Sequence, residues 1–146
     1  MRPQVTRCHA CCRVRTNLTV KDLGDLLQQP LVATLATYRR NGEVLLSPVW
    51  FEWQDDGFNL FVGRNDFKAQ HIRRDPRASI AVYENALPLR GLEMRGTARL
   101  FTDGLQEMRT RVWQHYLGTN PPGSGESEIG VRVEGTLRAW DFADDA

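Results

Sequence analysis

Apolar and polar positions alternate with a period of two over Leu31-Val-Ala-Thr-Leu-Ala-Thr-Tyr38, which predicts a half-buried strand. Asn41-Gly42 follows it, the dipeptide that favours a two-residue hairpin turn, and Glu43–Trp53 reads as the return strand. A second turn at Gln54-Asp-Asp-Gly57 leads into a third strand, Phe58–Gly63. The period then changes. Asp66–Arg74 reads as a short helix stopped by Asp75-Pro76, and Arg77–Glu84 and Leu89–Phe101 as strands four and five with Pro88 in the turn between them. Leu105, Met108, Val112, Trp113 and Tyr116 recur at helical spacing behind a cap at Asp103, and predict a helix to about Leu117. Ile129–Phe142 places Val131, Val133, Gly135, Leu137 and Ala139 on one side and is strand six. Near the N-terminus, Thr19 with Asp22 three residues on has the spacing of a capping box, so a helix carrying Leu23, Leu26 and Leu27 is expected up to Pro30. Six antiparallel strands with flanking helices predict a mainly β (α+β) fold closed into a small barrel, since closure removes sticky strand edges.

Composition narrows the class. With 146 residues, 41% of them hydrophobic, one domain can bury a core without disulfides or metal. The expected division is a tail at 1–15, disordered or upstream of the natural start, and a single domain at 16–146. Cys8, Cys11 and Cys12 lie in that tail beside His9; no second ligand pair follows, so a reduced tail is expected rather than a zinc site. No run approaches the ~18 apolar residues of a membrane span, and no apolar segment follows the basic N-terminus as a secretory signal requires, so a soluble cytoplasmic protein is expected. The balance of 19 basic against 18 acidic residues argues against nucleic acid as the main partner.

Nucleophile elbow, P-loop, Gly-x-Gly-x-x-Gly and His-Glu-x-x-His motifs are all missing, so the catalytic residues stay unassigned and a bound cofactor carrying the chemistry stays open. The informative segment is 63–77, where a strand turns at Arg64-Asn65 into a helix whose first turn holds Lys68, one of only two lysines. From the residues alone Lys68 is either a solvated lysine or the cation of an anion site at the helix start, with Arg64 beside it. Arg73, Arg74 and Arg77 form a basic cluster that complements the helix C-terminus and pairs with surface acids such as Asp75. Trp50, Trp53 and Phe61 either stack on a ring or pack; Tyr38, His71 and Tyr83 are open as proton donors.

Leu35-Ala-Thr37, Ser47-Pro-Val-Trp-Phe51, Lys68-Ala69 leading to Ile72-Arg-Arg-Asp-Pro-Arg77, and Gly96-Thr-Ala-Arg-Leu100 occur in the order and at the intervals of one family. In these pieces the chain resembles the pyridoxamine 5'-phosphate oxidase-like, FMN-binding split-barrel superfamily, most of all its branch of coenzyme F420-dependent oxidoreductases. The resemblance implies a split barrel and an oxidoreductase passing hydride from reduced coenzyme F420 to a small organic acceptor. FMN is the alternative cofactor, and a non-catalytic flavin- or haem-binding module the alternative role. It further implies cofactor contacts from Ser47, Pro48, Val49 and Trp50, from Phe61, Val62, Gly63 and Arg64, and from Lys68 as the phosphate-binding lysine. A homodimer with cofactor at the interface is implied, in which Arg90 reaches the site from the other chain. One departure stands out: Phe67 occupies the place before the lysine where the oxidases usually carry arginine, which weakens the clamp for FMN.

Overall fold

The alternation at 31–38 becomes β2 (Ala33–Tyr38), whose residues run buried and half-buried in turn. A computed structural model describes residues 14–143. After β1 (Arg15–Leu18) and β2 come β3 (Val44–Val49), β4 (Glu52–Gln54), β5 (Gly57–Gly63), α1 (Phe67–Arg74), β6 (Arg77–Tyr83), β7 (Gly91–Phe101), α2 (Leu105–Leu117) and β8 (Glu128–Asp141). Antiparallel pairing gives the order β3-β2-β6-β7-β8-β5-β4, with β1 on the far end of β8.

The turns form where turn chemistry marks them. Gly42 has φ of 88°, and the Asn41 side chain accepts from the Glu43 N–H at 3.0 Å. Asp55 and Asp56 both take positive φ, the requirement of the tight turn joining β4 to β5. Mid-sheet, Gly96 faces Gly135 in register; a Cβ on Gly96 would lie 1.9 Å from the Glu134 carbonyl, so β7 and β8 cross there only because neither residue has a side chain.

Eight strands stand where six were expected. The return strand is interrupted at Trp50-Phe51, where the Phe51 N–H donates to the Tyr116 hydroxyl at 3.2 Å rather than to a neighbouring strand. β3 and β4 are the two ends of the sheet, yet only two residues separate them, so the sheet must curl until its ends approach. This makes a barrel with one split. The extra strand, β1, begins at Arg15, which the expected tail had included; its guanidinium binds both oxygens of Asp141 at 2.8 and 2.7 Å. Residues 1–13, with Cys8, His9, Cys11 and Cys12, lie outside the described residues.

Two further expectations are corrected. The segment from Thr19 to Pro30 is not one helix but two 3-10 turns, Lys21–Leu23 and Leu26–Gln28, divided by Gly24 at φ of 60°. Its opening motif does form, with the Thr19 N–H and hydroxyl donating to the Asp22 carboxylate at 2.8 and 3.0 Å. Asp103 does not cap α2: Gly104, in the left-handed conformation, holds the cap position with no side-chain bond.

The main core fills the barrel with residues such as Leu35, Phe58, Leu60, Ile80, Leu92, Met94 and Val131. A second cluster lies under α2, where Leu105, Met108 and Val112 meet Trp50, Phe61, Phe101 and Tyr116. Among the described residues no helix is long and apolar enough to cross a membrane.

Candidate functional site

The split holds the candidate site. β4 covers only the first half of β5, Gly57 to Asn59, and β3 pairs on one side alone, with β2. Between these two unpaired edges lies a cleft of about 460 Å³, within the ~300–1,000 Å³ typical of small-molecule sites. Pro48, Val49 and Trp50 form one wall and Phe61, Val62 and Gly63 the other; Val32, Asp66, Lys68 and Glu128 complete the lining. Pro48 fits here, since a proline lacking an N–H is tolerated at an edge. Unpaired edge N–H and C=O groups beside aromatic rings offer what a flat heterocycle needs: polar atoms in its plane and apolar contact on its faces.

Trp50 is braced from behind. Tyr116 stacks on it at 4.8 Å and 12°, and Trp113 meets it edge-on at 5.5 Å. The Tyr116 hydroxyl accepts from the Phe51 N–H and donates to the Leu31 carbonyl at 2.7 Å, and burial pushes its pKa up to about 12. It is a strut joining α2 to the corner between β3 and β4.

At the foot of the cleft the first turn of α1 presents its charges. Asp66 caps the helix, accepting the Lys68 N–H at 3.1 Å on Oδ1, while its Oδ2 holds the Lys68 ammonium at 2.8 Å. Burial pushes the Asp66 carboxyl up, but the bonds from Lys68 outweigh it and hold the group below the usual carboxylate range. Glu128 is held by the buried Arg109 at 2.5 Å, and Arg109 also binds the Pro122 carbonyl, which ties the 119–127 loop to the rim of the cleft.

Seven expected contacts therefore line one cavity: Pro48, Val49, Trp50, Phe61, Val62, Gly63 and Lys68. Ser47 is buried one step along β3, and Arg64 is exposed at the turn beyond Gly63, its guanidinium 3.4 Å from the Glu128 carbonyl. Arg90 sits elsewhere in this protomer, held by Glu84 at 2.6 Å, Asp25 at 2.8 Å and the Leu23 carbonyl at 2.8 Å. The arginines after Lys68 do not form a strip: Arg77 closes on Asp75 at 2.7 Å and lies over the Tyr38 ring, and Arg74 donates to the Tyr38 carbonyl. Trp53 packs on Phe58, Tyr83 is exposed on the outer sheet face, and neither lines the cleft; nor do Tyr38 and His71. Val32, Asp66 and Glu128 are the lining residues that the sequence did not point to. The cap position of Asp66, two residues before Lys68, was a usable signal for it; nothing local marks Val32 or Glu128.

The family model described as pyridoxamine 5'-phosphate oxidase matches residues 20–140, most of the chain. No curated protein matches. Among solved structures, a conserved hypothetical protein of Mycobacterium tuberculosis is 24% identical, with 94% of this chain and 91% of that one covered at a TM-score of 0.74. An F420 reductase is 26% identical over 78% of this chain and 93% of its own, TM-score 0.69. A FAD-binding protein of Mesorhizobium loti is 19% identical over 89% of this chain and 99% of its own, also at 0.69. The eight-stranded sheet, the split and the family match agree: the chain belongs to the pyridoxamine 5'-phosphate oxidase family and has its split-barrel fold.

Proposed function

We propose that this protein is an oxidoreductase that holds reduced coenzyme F420 in the cleft between β3 and β5 and passes hydride to a small organic acceptor. When bound, the deazaflavin supplies the hydride; the chain binds, orients and shields it. Trp50 and Phe61 offer ring contacts, the free edges of β3 and β5 offer backbone donors and acceptors, and Lys68 meets the phosphate. Among the described lining residues Asp66, Lys68 and Glu128 bear ionisable protons, and each is engaged in an ion pair or next to one, so solvent is the proton source this reading favours.

The observation that carries the choice of cofactor is the Asp66–Lys68 pair. FMN brings a phosphomonoester of charge about −1.5 to −2, whereas the phosphate of coenzyme F420 is a diester with one charge. A foot where the lone lining ammonium already shares a carboxylate favours the singly charged group. The 26% identity to an F420 reductase supports the same reading. FMN in the same cleft is the second reading, favoured by the family match itself.

A homodimer completes the site in this proposal. Val44, Leu46 and Tyr83 are exposed on the outer sheet face at 48%, 62% and 59%, and Val32, 57% exposed, lines the cleft as well. An apolar face continuous with the cleft mouth suits a second copy. The expected result is a dimer in analytical ultracentrifugation that Leu46→Glu splits; a wild-type monomer at micromolar concentration overturns this part alone. For the cofactor, fluorescence titration should give saturable binding of coenzyme F420 below about 100 μM, roughly −5.5 kcal/mol. Weaker binding of both coenzyme F420 and FMN overturns the reading.

A further inference from the structure

Another face of α1, where Phe67, His71 and Arg74 recur at helical spacing, borders a second cleft of about 450 Å³. Arg39 and Arg40 from the β2–β3 hairpin and Arg74 from the last turn of α1 surround it, His71 lies at its floor and Phe67 at its rim. Several other arginines of the chain pair with carboxylates: Arg90 with Glu84, Arg109 with Glu128, Arg111 with Glu52. Arg39, Arg40 and Arg74 form no ion pair among the described residues, and no carboxylate lines the cleft. In a chain of net charge +1, three guanidinium groups gathered around one cavity repel one another unless an anion joins them.

The Arg74 side chain, the backbone that carries Arg39 and the His71 ring are held in place. Arg74 is fixed by its bond to the Tyr38 carbonyl. Arg39 is pinned in the hairpin, its N–H on the Glu43 carbonyl at 2.8 Å and its carbonyl taking the Gly42 N–H at 2.9 Å. The His71 ring is anchored by Nδ1 to Thr37 Oγ1 at 3.0 Å. Its Nε2 makes no protein hydrogen bond, and every fully buried side-chain nitrogen or oxygen among the described residues has one, so Nε2 opens onto the cleft. Phe67, 68% exposed, lies with its ring centre 6.4 Å from that of His71 at 28°.

We infer that this cleft binds a phosphorylated small molecule carrying a flat ring, with the phosphate among Arg39, Arg40 and Arg74 and the ring on Phe67. Three guanidinium forks provide more donors than the two oxygens of a carboxylate can take, and they match a phosphate with three free oxygens and nearly two charges. The reading stands apart from the cofactor cleft, which Lys68 marks on a different face of the helix. Burial, with Arg74 and Arg39 beside it, pushes His71 below the usual histidine range; Asp66 acts in the opposite sense, and Thr37, from β2, faces the ring without charge. A phosphate dianion seated beside the ring raises the His71 midpoint.

The test uses the intact protein with phenyl phosphate and inorganic phosphate, followed by NMR of the His71 ring. Both ligands should bind saturably below about 10 mM, phenyl phosphate more tightly, and the His71 midpoint should rise. Arg40→Gln, which removes no hydrogen bond of the fold, should weaken both by about tenfold. Phe67→Ala should erase only the advantage of the phenyl group, and binding should persist in Lys68→Ala. Binding lost in Lys68→Ala but kept in Arg40→Gln, or a His71 midpoint that does not move, overturns the inference.

Discussion

The clamp around Arg90 and the first turn of α1 are built from the same parts, a cation beside carboxylates, and are about equally enclosed: the Arg90 side chain is 16% exposed and that of Lys68 is 20%. They differ in what is left over. Arg90 spends Nε and Nη2 on Glu84, at 2.6 and 2.8 Å, and Nη1 on both Asp25 and the Leu23 carbonyl, while its backbone N–H also reaches Glu84 at 2.9 Å. Lys68 spends one ammonium N–H on Asp66 and keeps two for another oxygen. Enclosure alone therefore does not distinguish the two cations; the number of donors still uncommitted does. Arg90 locks the segment after β6 onto the turns that precede β2, and Lys68 waits at the foot of a cleft.

The largest effect expected from breaking this contrast is on folding. Arg90→Ala leaves Glu84 buried and unpaired, which costs about 3–5 kcal/mol, a fall in Tm of roughly 10 °C. Arg90→Lys restores the charge but not the fork and should recover only part of it. The penalty depends on pH. Hydrogen bonds from Arg90 hold the Glu84 carboxyl below its ordinary value, so its contribution is complete above an unfolded pKa of about 4.3 and fades as pH falls through the folded value. Urea midpoints of wild type and Arg90→Ala should differ most above about pH 5 and draw together as pH falls through the lowered Glu84 value.

Lys68→Ala should do the reverse. It forms one ion pair, on a carboxylate that is partly exposed, so stability should change by less than about 1 kcal/mol, while cofactor affinity falls about tenfold, near 1.4 kcal/mol. A smaller effect separates the phosphate classes. Asp66→Asn removes one negative charge from the foot of the cleft; because Coulomb energy scales with charge, a dianionic monoester should gain about twice the energy a diester gains. FMN affinity should then rise relative to coenzyme F420 by about threefold, measured by parallel fluorescence titrations.

Much of the fold was legible because its signals are local. Asn41-Gly42, Asp55-Asp56-Gly57 and Asp75-Pro76 act through their own backbone preferences, and the elements between them followed. What was missed depends on contacts far along the chain. β1 exists through the pairing of Arg15 with Asp141, 126 residues away, and the break at Trp50-Phe51 depends on Tyr116, 65 residues from Phe51. The site divides in the same way. The ends of β3 and β5 and Lys68 were placed through the resemblance, and the structure brings them together. The partners of each cation were not legible, since Glu84 meets Arg90 and Arg39 meets Arg74 only in the folded chain.

The most direct measurement is a pair of fluorescence titrations, coenzyme F420 and FMN, on wild type and Lys68→Ala at one ionic strength. The proposed site should bind coenzyme F420 more tightly than FMN in wild type, with an about tenfold loss for coenzyme F420 in the variant and Tm almost unchanged. Coenzyme F420 affinity that is the same with and without the Lys68 ammonium would contradict it.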